Sequence, residues 1–320
     1  MQGEGKYSDL IRQSIRRACT ENNWFTRNNV LTALQAITKC LTKDKLIKWL
    51  DPYTDTLVKY EGGKDISVIM AGNIPCAGFH DFICVLITGN RFYGYLSSSD
   101  NVLLPAIAQI LQKIEPVFKK LISFREGKVH MSDAVIASGS NNTERYFRYY
   151  FGKYPNIIRS HRNSIAILNG KETEEELKLL GKDIFIYFGL GCRSISKLYV
   201  PPGYDFTTFF KAISTFEHLL NHRGYSANYI NNKSIFTINR EPFLDNGFLL
   251  LKEMKTLYSS IAVLHFEYIT NDLEFLTEKL SGKIQCVVSK NKINFGMSQF
   301  PELHDYADGV DTLKFLFQLS

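Results

Sequence analysis

A cysteine stands in a glycine-bracketed turn, Gly189-Leu190-Gly191-Cys192-Arg193-Ser194, between a helix-like stretch and the strand-like run Lys197-Leu198-Tyr199-Val200. Small residues on both sides let an acyl group reach the sulfur, and a thiolate attacks carbonyl carbon and leaves it again more readily than an alkoxide does. Cys192 is the candidate nucleophile. Upstream, two β-like runs end in polar turns: 65–70 runs into Ala71-Gly72-Asn73-Ile74-Pro75, and 134–137 into Ser138-Gly139-Ser140-Asn141-Asn142. Both read as strand-to-loop-to-helix transitions, where open α/β sheets bind nucleotides and carry catalytic groups. His218 and His222, four apart on an expected helix, have the spacing of a metal pair. No third ligand or acidic partner completes a site, so they read as surface residues and no metal is expected.

The rest of the chain has to position these turns. The first 60 or so residues read as helical, with Val30, Leu31, Leu34, Ile37 and Leu41 at three- and four-residue spacing and Asn28 or Asn29 as a cap. From Asp65 onward strand and helix alternate: strands over 65–70, 91–96, 134–137, 156–159 and 164–168, helices over 79–87, 101–123 and 143–151. This alternation predicts a mostly parallel sheet with helices on both faces. The aromatic cluster 146–151 is expected to face its core.

The acidic segment Gly170-Lys171-Glu172-Thr173-Glu174-Glu175-Glu176 opens a new helix, with carboxylates where the helix dipole favours them. It reads as the linker into a second domain with a helix near 206–220 and strands over 261–266 and 284–288. The expected division is 1–168, completed by 290–320, and 169–289.

With 320 residues the chain is long enough for two domains, and its 45% hydrophobic and 13% aromatic content is that of a globular protein. The apolar run Phe82-Ile83-Cys84-Val85-Leu86-Ile87 is far shorter than the roughly 20 residues that span a bilayer, so no membrane span is expected. No apolar stretch follows closely behind Met1-Gln2-Gly3-Glu4-Gly5-Lys6, which predicts a cytoplasmic location rather than secretion. The six cysteines, Cys19, Cys40, Cys76, Cys84, Cys192 and Cys286, lack C-x-x-C spacing, arguing against a zinc ribbon or redox dithiol. A net charge of +6, scattered along the chain, does not indicate nucleic acid; it favours phosphate-bearing ligands or an acidic carrier protein, or is ordinary surface charge.

The ordered turns resemble those of the aldehyde dehydrogenase superfamily. Ala71-Gly72-Asn73-Ile74-Pro75 resembles its proline/asparagine turn, followed as in that fold by a helix, Gly89-Asn90, a strand and Ser97-Ser98-Ser99-Asp100. Ala137-Ser138-Gly139-Ser140 resembles its Gly-Ser turn, and Cys192 falls where its nucleophile would lie. Arg159-Ser160-His161-Arg162-Asn163-Ser164 and Asp305-Tyr306-Ala307-Asp308-Gly309-Val310-Asp311 most resemble the acyl-CoA reductase family that includes the fatty acid reductase of bacterial bioluminescence. The likeness covers nearly the whole chain.

The resemblance implies an α/β, aldehyde-dehydrogenase-like fold: two domains, each a mostly parallel sheet flanked by helices, with the active site in the cleft between them. It implies a nicotinamide cofactor, NADPH or else NADH, and reduction of a fatty acyl thioester, acyl-CoA or acyl-carrier protein, to the aldehyde. A homodimer is the assembly to test. In these terms Cys192 attacks the thioester, and the Asn73 amide and the Cys192 N–H face the oxyanion. Asn73 is otherwise a turn residue chosen for local hydrogen bonding. Gly72, Ser97, Ser98, Ser99, Ser138, Gly139 and Ser140 are the cofactor-binding candidates, with the pyrophosphate at a helix start.

Two departures bear on the chemistry. Many aldehyde dehydrogenases carry a lysine just before the serine run, where this chain has Tyr95. Oxidising members place a glutamate base before a Gly-Gly turn, where this chain has Ile158-Arg159-Ser160-His161-Arg162. A reductase that starts from a thioester loses product if water attacks, so the missing base favours acyl reduction. His161 is the candidate proton donor, or else a loop histidine bonding backbone. The competing readings are a cysteine acyltransferase or thioesterase, and a non-catalytic subunit of a fatty-acyl assembly.

Overall fold

Short apolar runs buried on both faces build parallel sheets, because helices cover each side. The computed structural model describes residues 5, 7–130, 132–139, 141–160, 162–269, 278, 280 and 282–319. They divide into two compact units, residues 1–161 with 302–320, and residues 162–301.

In the first unit, β1 (Asp65–Ile69), β2 (Arg91–Tyr95), β3 (Ile122–Arg125), β4 (Ala134–Ser138) and β5 (Asn156–Arg159) form a five-stranded sheet in the order β3-β2-β1-β4-β5. Every neighbouring pair is parallel. Ile66, Val68, Phe92 and Ile136 are fully buried in it. With β1 between β2 and β4, successive connections leave in opposite directions, and the carboxyl ends of these strands make the edge where such sheets take ligands.

Four helices precede the sheet: α1 (Ser8–Glu21), α2 (Arg27–Cys40), α3 (Lys43–Leu50) and α4 (Thr54–Lys59). The cap of α2 is Thr26, whose hydroxyl accepts the Asn29 N–H at 3.2 Å, and not Asn28 or Asn29, which lie inside the first turn. Next come α5 (Phe79–Ile87), α6 (Leu103–Ile114), α7 (Phe118–Leu121) and α8 (Asn141–Phe151). The single helix expected over 101–123 is broken. Glu115 is extended before Pro116, which has no N–H to continue the ladder, and Ile122-Ser123-Phe124-Arg125 becomes the edge strand β3. The aromatic face of α8 also differs from expectation, since Tyr146, Tyr149 and Tyr150 are 65%, 82% and 59% exposed. Aromatics surround this helix, and only one stripe of them can meet the sheet.

Residues 302–319 return to the first unit. α12 (Thr312–Phe317) buries Leu313 and Leu316 in the core that holds Phe82. Trp49 Nε1 donates to the Tyr306 hydroxyl at 2.9 Å, and the Tyr53 hydroxyl donates to Asp311 at 2.5 Å. Arg159 pairs with Asp81 at 2.5 Å, both side chains 7% exposed, and donates to Thr312 at 3.0 Å.

The second unit contains β6 (Asn163–Ile167), β7 (Ile195–Val200), β8 (Leu244–Asp245), β9 (Leu250–Glu253), β10 (Val263–Tyr268) and β11 (Ile284–Val288), in the order β11-β6-β7-β10-β9-β8. All pairs are parallel except β8 with β9. It also contains α9 (Glu174–Phe185), α10 (Phe206–Ile213) and α11 (Arg223–Ile238). The acidic segment opens α9 as expected: Thr173 and Glu176 form a reciprocal capping box. The helix expected near 206–220 is α10 followed by a 3₁₀ stretch, Ser214–Asn221.

The unit boundaries differ from the expected 168 and 290. β6 pairs with β7 and β11, so 163–167 belongs to the second sheet, and Asp183 holds the Gly296 and Ser298 amides there. No helix among the described residues is long and apolar enough to cross a membrane.

Candidate functional site

The amino ends of β6, β7 and β11 lie side by side, and the Cys192 turn leads into β7. The chain enters that turn through three consecutive left-handed residues, Tyr187 (φ 56°), Phe188 (φ 57°) and Gly189 (φ 77°). For a non-glycine residue this conformation costs about 1–3 kcal/mol, so the surroundings must hold it. Both aromatic side chains are 5% exposed, and the Leu190 N–H donates to the Tyr187 carbonyl at 3.0 Å.

Gly191-Cys192-Arg193-Ser194 then forms a β-turn closed by the Ser194 N–H on the Gly191 carbonyl at 3.0 Å. Cys192 is its second residue and is half-buried. Three side-chain bonds tether the turn. The Ser164 hydroxyl donates to the Cys192 carbonyl at 2.8 Å, Gln299 Nε2 to the Ser194 hydroxyl at 3.2 Å, and Arg193 Nη1 to the Ser298 carbonyl at 3.4 Å. Behind them, the fully buried Asp183 accepts the Gly296 N–H at 2.6 Å and the Ser298 N–H at 2.9 Å. Burial raises the Asp183 carboxyl above its ordinary pKa, with these two amides opposing. Ser164, Asp183 and Gln299 give no signal in sequence, because each acts through contacts far along the chain.

In the first unit, the cofactor candidates share one edge. Ile69 is in register with Tyr95 of β2 and Ala137 of β4, so the turns after β1, β2 and β4 are neighbours. Gly72 is buried against Ser97: a Cβ there would lie 2.6 Å from the Ser97 Cβ and Oγ. Asn73 is exposed, Ser97 half-buried, and Ser98 and Ser99 exposed. Asp100 fixes the far end of the Asn73 turn by accepting the Cys76 N–H at 2.7 Å, where Cys76 is itself left-handed at φ 59°. Burial pushes the Asp100 carboxyl up to about 6, against the Cys76 and Leu103 amides that favour its charge.

Ser138 ends β4, and the Gly139 N–H is taken up by the Arg159 carbonyl at 3.3 Å. The Gly139 amide is therefore already engaged within the sheet. Ser140, His161 and the side chain of Asn141 lie outside the described residues. Tyr95 is 7% exposed, with its hydroxyl accepting the His130 N–H at 3.0 Å. A cation stands next to it instead: Arg125 of β3 is in register with Tyr95, exposed, and 4.3 Å over the Tyr93 ring. Sequence reading missed Arg125 because it missed β3.

The two histidines do not share a helix. His218 Nδ1 lies 2.8 Å from the Thr215 carbonyl, whereas His222 caps α11 and accepts the Tyr225 N–H at 3.2 Å. Among the described residues no three His, Cys, Asp or Glu side chains gather as a metal site.

No family model matches the chain, and no curated protein is similar to it in sequence. Solved structures are similar. An NADP-dependent enzyme of E. coli superposes with a TM-score of 0.60 at 11% identity, over 85% of this chain and 68% of that one. An aldehyde dehydrogenase from Bacillus cereus gives 0.54 at 12%, over 89% and 73%. Aldehyde dehydrogenase 21 from Physcomitrella patens, solved with its reaction product succinate, gives 0.54 at 10%, over 96% and 78%. At such identities the likeness is one of architecture, and the chain has the α/β fold of the aldehyde dehydrogenases, with two mostly parallel sheets flanked by helices.

Proposed function

We propose that the protein reduces a fatty acyl thioester, acyl-CoA or acyl-carrier protein, to the aldehyde through a Cys192 acyl-enzyme, with NADPH as the reductant. The observation that carries this reading is the tethered turn: a half-buried thiol at the second position of a β-turn fixed by Ser164, Gln299 and Arg193. The Cys192 sulfur forms a bond to the acyl carbon, and the carbon–sulfur bond to the carrier breaks. The carrier leaves as a thiolate that takes up the proton Cys192 gave away. The Cys192 N–H is assigned to the oxyanion, where losing such a donor costs about 3–4 kcal/mol in barrier.

The carboxyl edge of the first sheet fits a dinucleotide. It offers Ser138, the serines of 97–99 and the exposed Arg125. When bound, the reduced nicotinamide supplies the hydride that turns the acyl group into an aldehyde once the Cys192 carbon–sulfur bond breaks. At the end of β5, where oxidising relatives of the resembling family keep a base, Arg159 is a buried guanidinium paired with Asp81. An arginine held in this way cannot activate water, which supports reduction over hydrolysis.

Purified protein given a long-chain acyl-CoA and NADPH is expected to consume the dinucleotide and release aldehyde, and Cys192→Ala to abolish both. Equal turnover in the variant rejects the proposal. An acyl adduct on Cys192 without NADPH consumption moves the assignment to acyl transfer or thioester hydrolysis.

A further inference from the structure

We infer that Ser164 is the positioning residue of the Cys192 nucleophile: its hydroxyl joins the bulge of β11 to the turn that precedes β7 and thereby fixes the peptide that follows the reactive thiol. The inference rests on reading Cys192 as the nucleophile. Ser164 is fully buried, and β6 lies between β11 and β7. On the β7 side, Ser164 faces Ile195 but Ile165 already faces Lys197, which leaves Ser196 as an extra residue. On the β11 side, Asn163 faces Ile284 while Ile165 faces Val287, again one residue too many. Such bulges break the ladder locally and leave backbone groups to find other partners.

For the Cys286 N–H in the β11 bulge the Ser164 hydroxyl is that partner, and it reaches from there to the turn ahead of β7. A serine hydroxyl has one hydrogen and two lone pairs, and all three are used here. It donates to the Cys192 carbonyl at 2.8 Å, and accepts the Cys286 N–H at 3.2 Å and the Cys286 thiol at 3.1 Å. Burial pushes the Cys286 thiol up to about 11, so it keeps its hydrogen and remains a donor. With both lone pairs occupied, the Ser164 hydrogen has one direction left, toward Cys192. Because the peptide is planar, holding the Cys192 carbonyl also fixes the Arg193 N–H on the opposite side and the backbone that aims the sulfur. A carbonyl released from Ser164 is free to turn its negative end toward the thiolate, which disfavours that form.

The test is alkylation of the full-length protein by iodoacetamide, followed for each cysteine by peptide mass spectrometry across pH. Ser164→Ala is expected to slow Cys192 about tenfold at neutral pH, the effect of one lost hydrogen bond. It should also raise the pH midpoint of Cys192 alkylation, leave the rates of the half-buried Cys19 and Cys40 unchanged, and be rescued by Ser164→Thr. If Ser164→Ala does not fold, Ser164→Cys, which changes one atom and weakens the donor, carries the same expectation. An unchanged Cys192 rate and midpoint in a folded variant overturns the inference. A wild-type Cys192 that resists alkylation overturns the nucleophile reading itself, which is a distinguishable failure.

Discussion

Asp100 and Arg125 act on the same edge of the first sheet by opposite electrostatics. The Asp100 carboxyl titrates near 6 because burial disfavours its charge, whereas in an unfolded chain it titrates near the ordinary value of about 4. The folded state thus holds the proton more tightly. Its stabilising contribution is complete below about pH 4 and is lost as pH rises through about 6, a change of about 3 kcal/mol. In urea titrations, the stability of the native protein relative to Asp100→Asn is expected to fall by about that much between pH 4 and 7; parallel curves would refute it. Arg125 is exposed, so it contributes little to stability and is available to a 2′-phosphate. Arg125→Ala should weaken NADPH binding about tenfold and leave NADH binding unchanged in a fluorescence titration. Equal losses for both dinucleotides would remove Arg125 from phosphate recognition. Cys192 and Asn73 stand out by residue type and neighbours, whereas Asp100 and Arg125 gain meaning only from what folds beside them.

The elements that sequence identifies are those with local chemistry. Thr173 and Glu176 announce α9 because a capping box is complete within four residues. β3 escapes because its four residues continue an apolar stripe, and only the ladder with β2 makes them a strand. α11 escapes because its sequence has no clear apolar face, and it buries only Tyr225 and Tyr229. The segment 296–299 shows an element held from afar, since the Asp183 carboxylate binds two of its amides. Asp183→Ala leaves two buried N–H groups without acceptors and is expected to cost about 3 kcal/mol in denaturant unfolding. Amide exchange at Gly296 and Ser298 should accelerate in this variant; unchanged exchange would show that Asp183 does not hold the segment.

At the scale of the whole molecule, the first unit is discontinuous in sequence, and its stability depends on residues 302–319. Leu303, Leu313 and Leu316 are 3%, 0% and 0% exposed in its core. Burying each contributes about 1.5–3 kcal/mol, so together they approach the net stability of a domain. A chain ending at Pro301 is expected to lose the cooperative thermal transition of the first unit by calorimetry; a retained transition would refute the role assigned to the returning segment. Sequence alone determined the α/β class, the presence of two units and the turn that bears Cys192, because strand–helix alternation and glycine-bracketed turns are local patterns. Tertiary structure decided where the units divide, that β6 joins the second sheet, and which buried groups hold the turns. Those outcomes depend on strand pairing and burial between residues far apart in the chain, 122 positions for Ser164 and Cys286 and 258 for Tyr53 and Asp311, and no short window of sequence contains both partners.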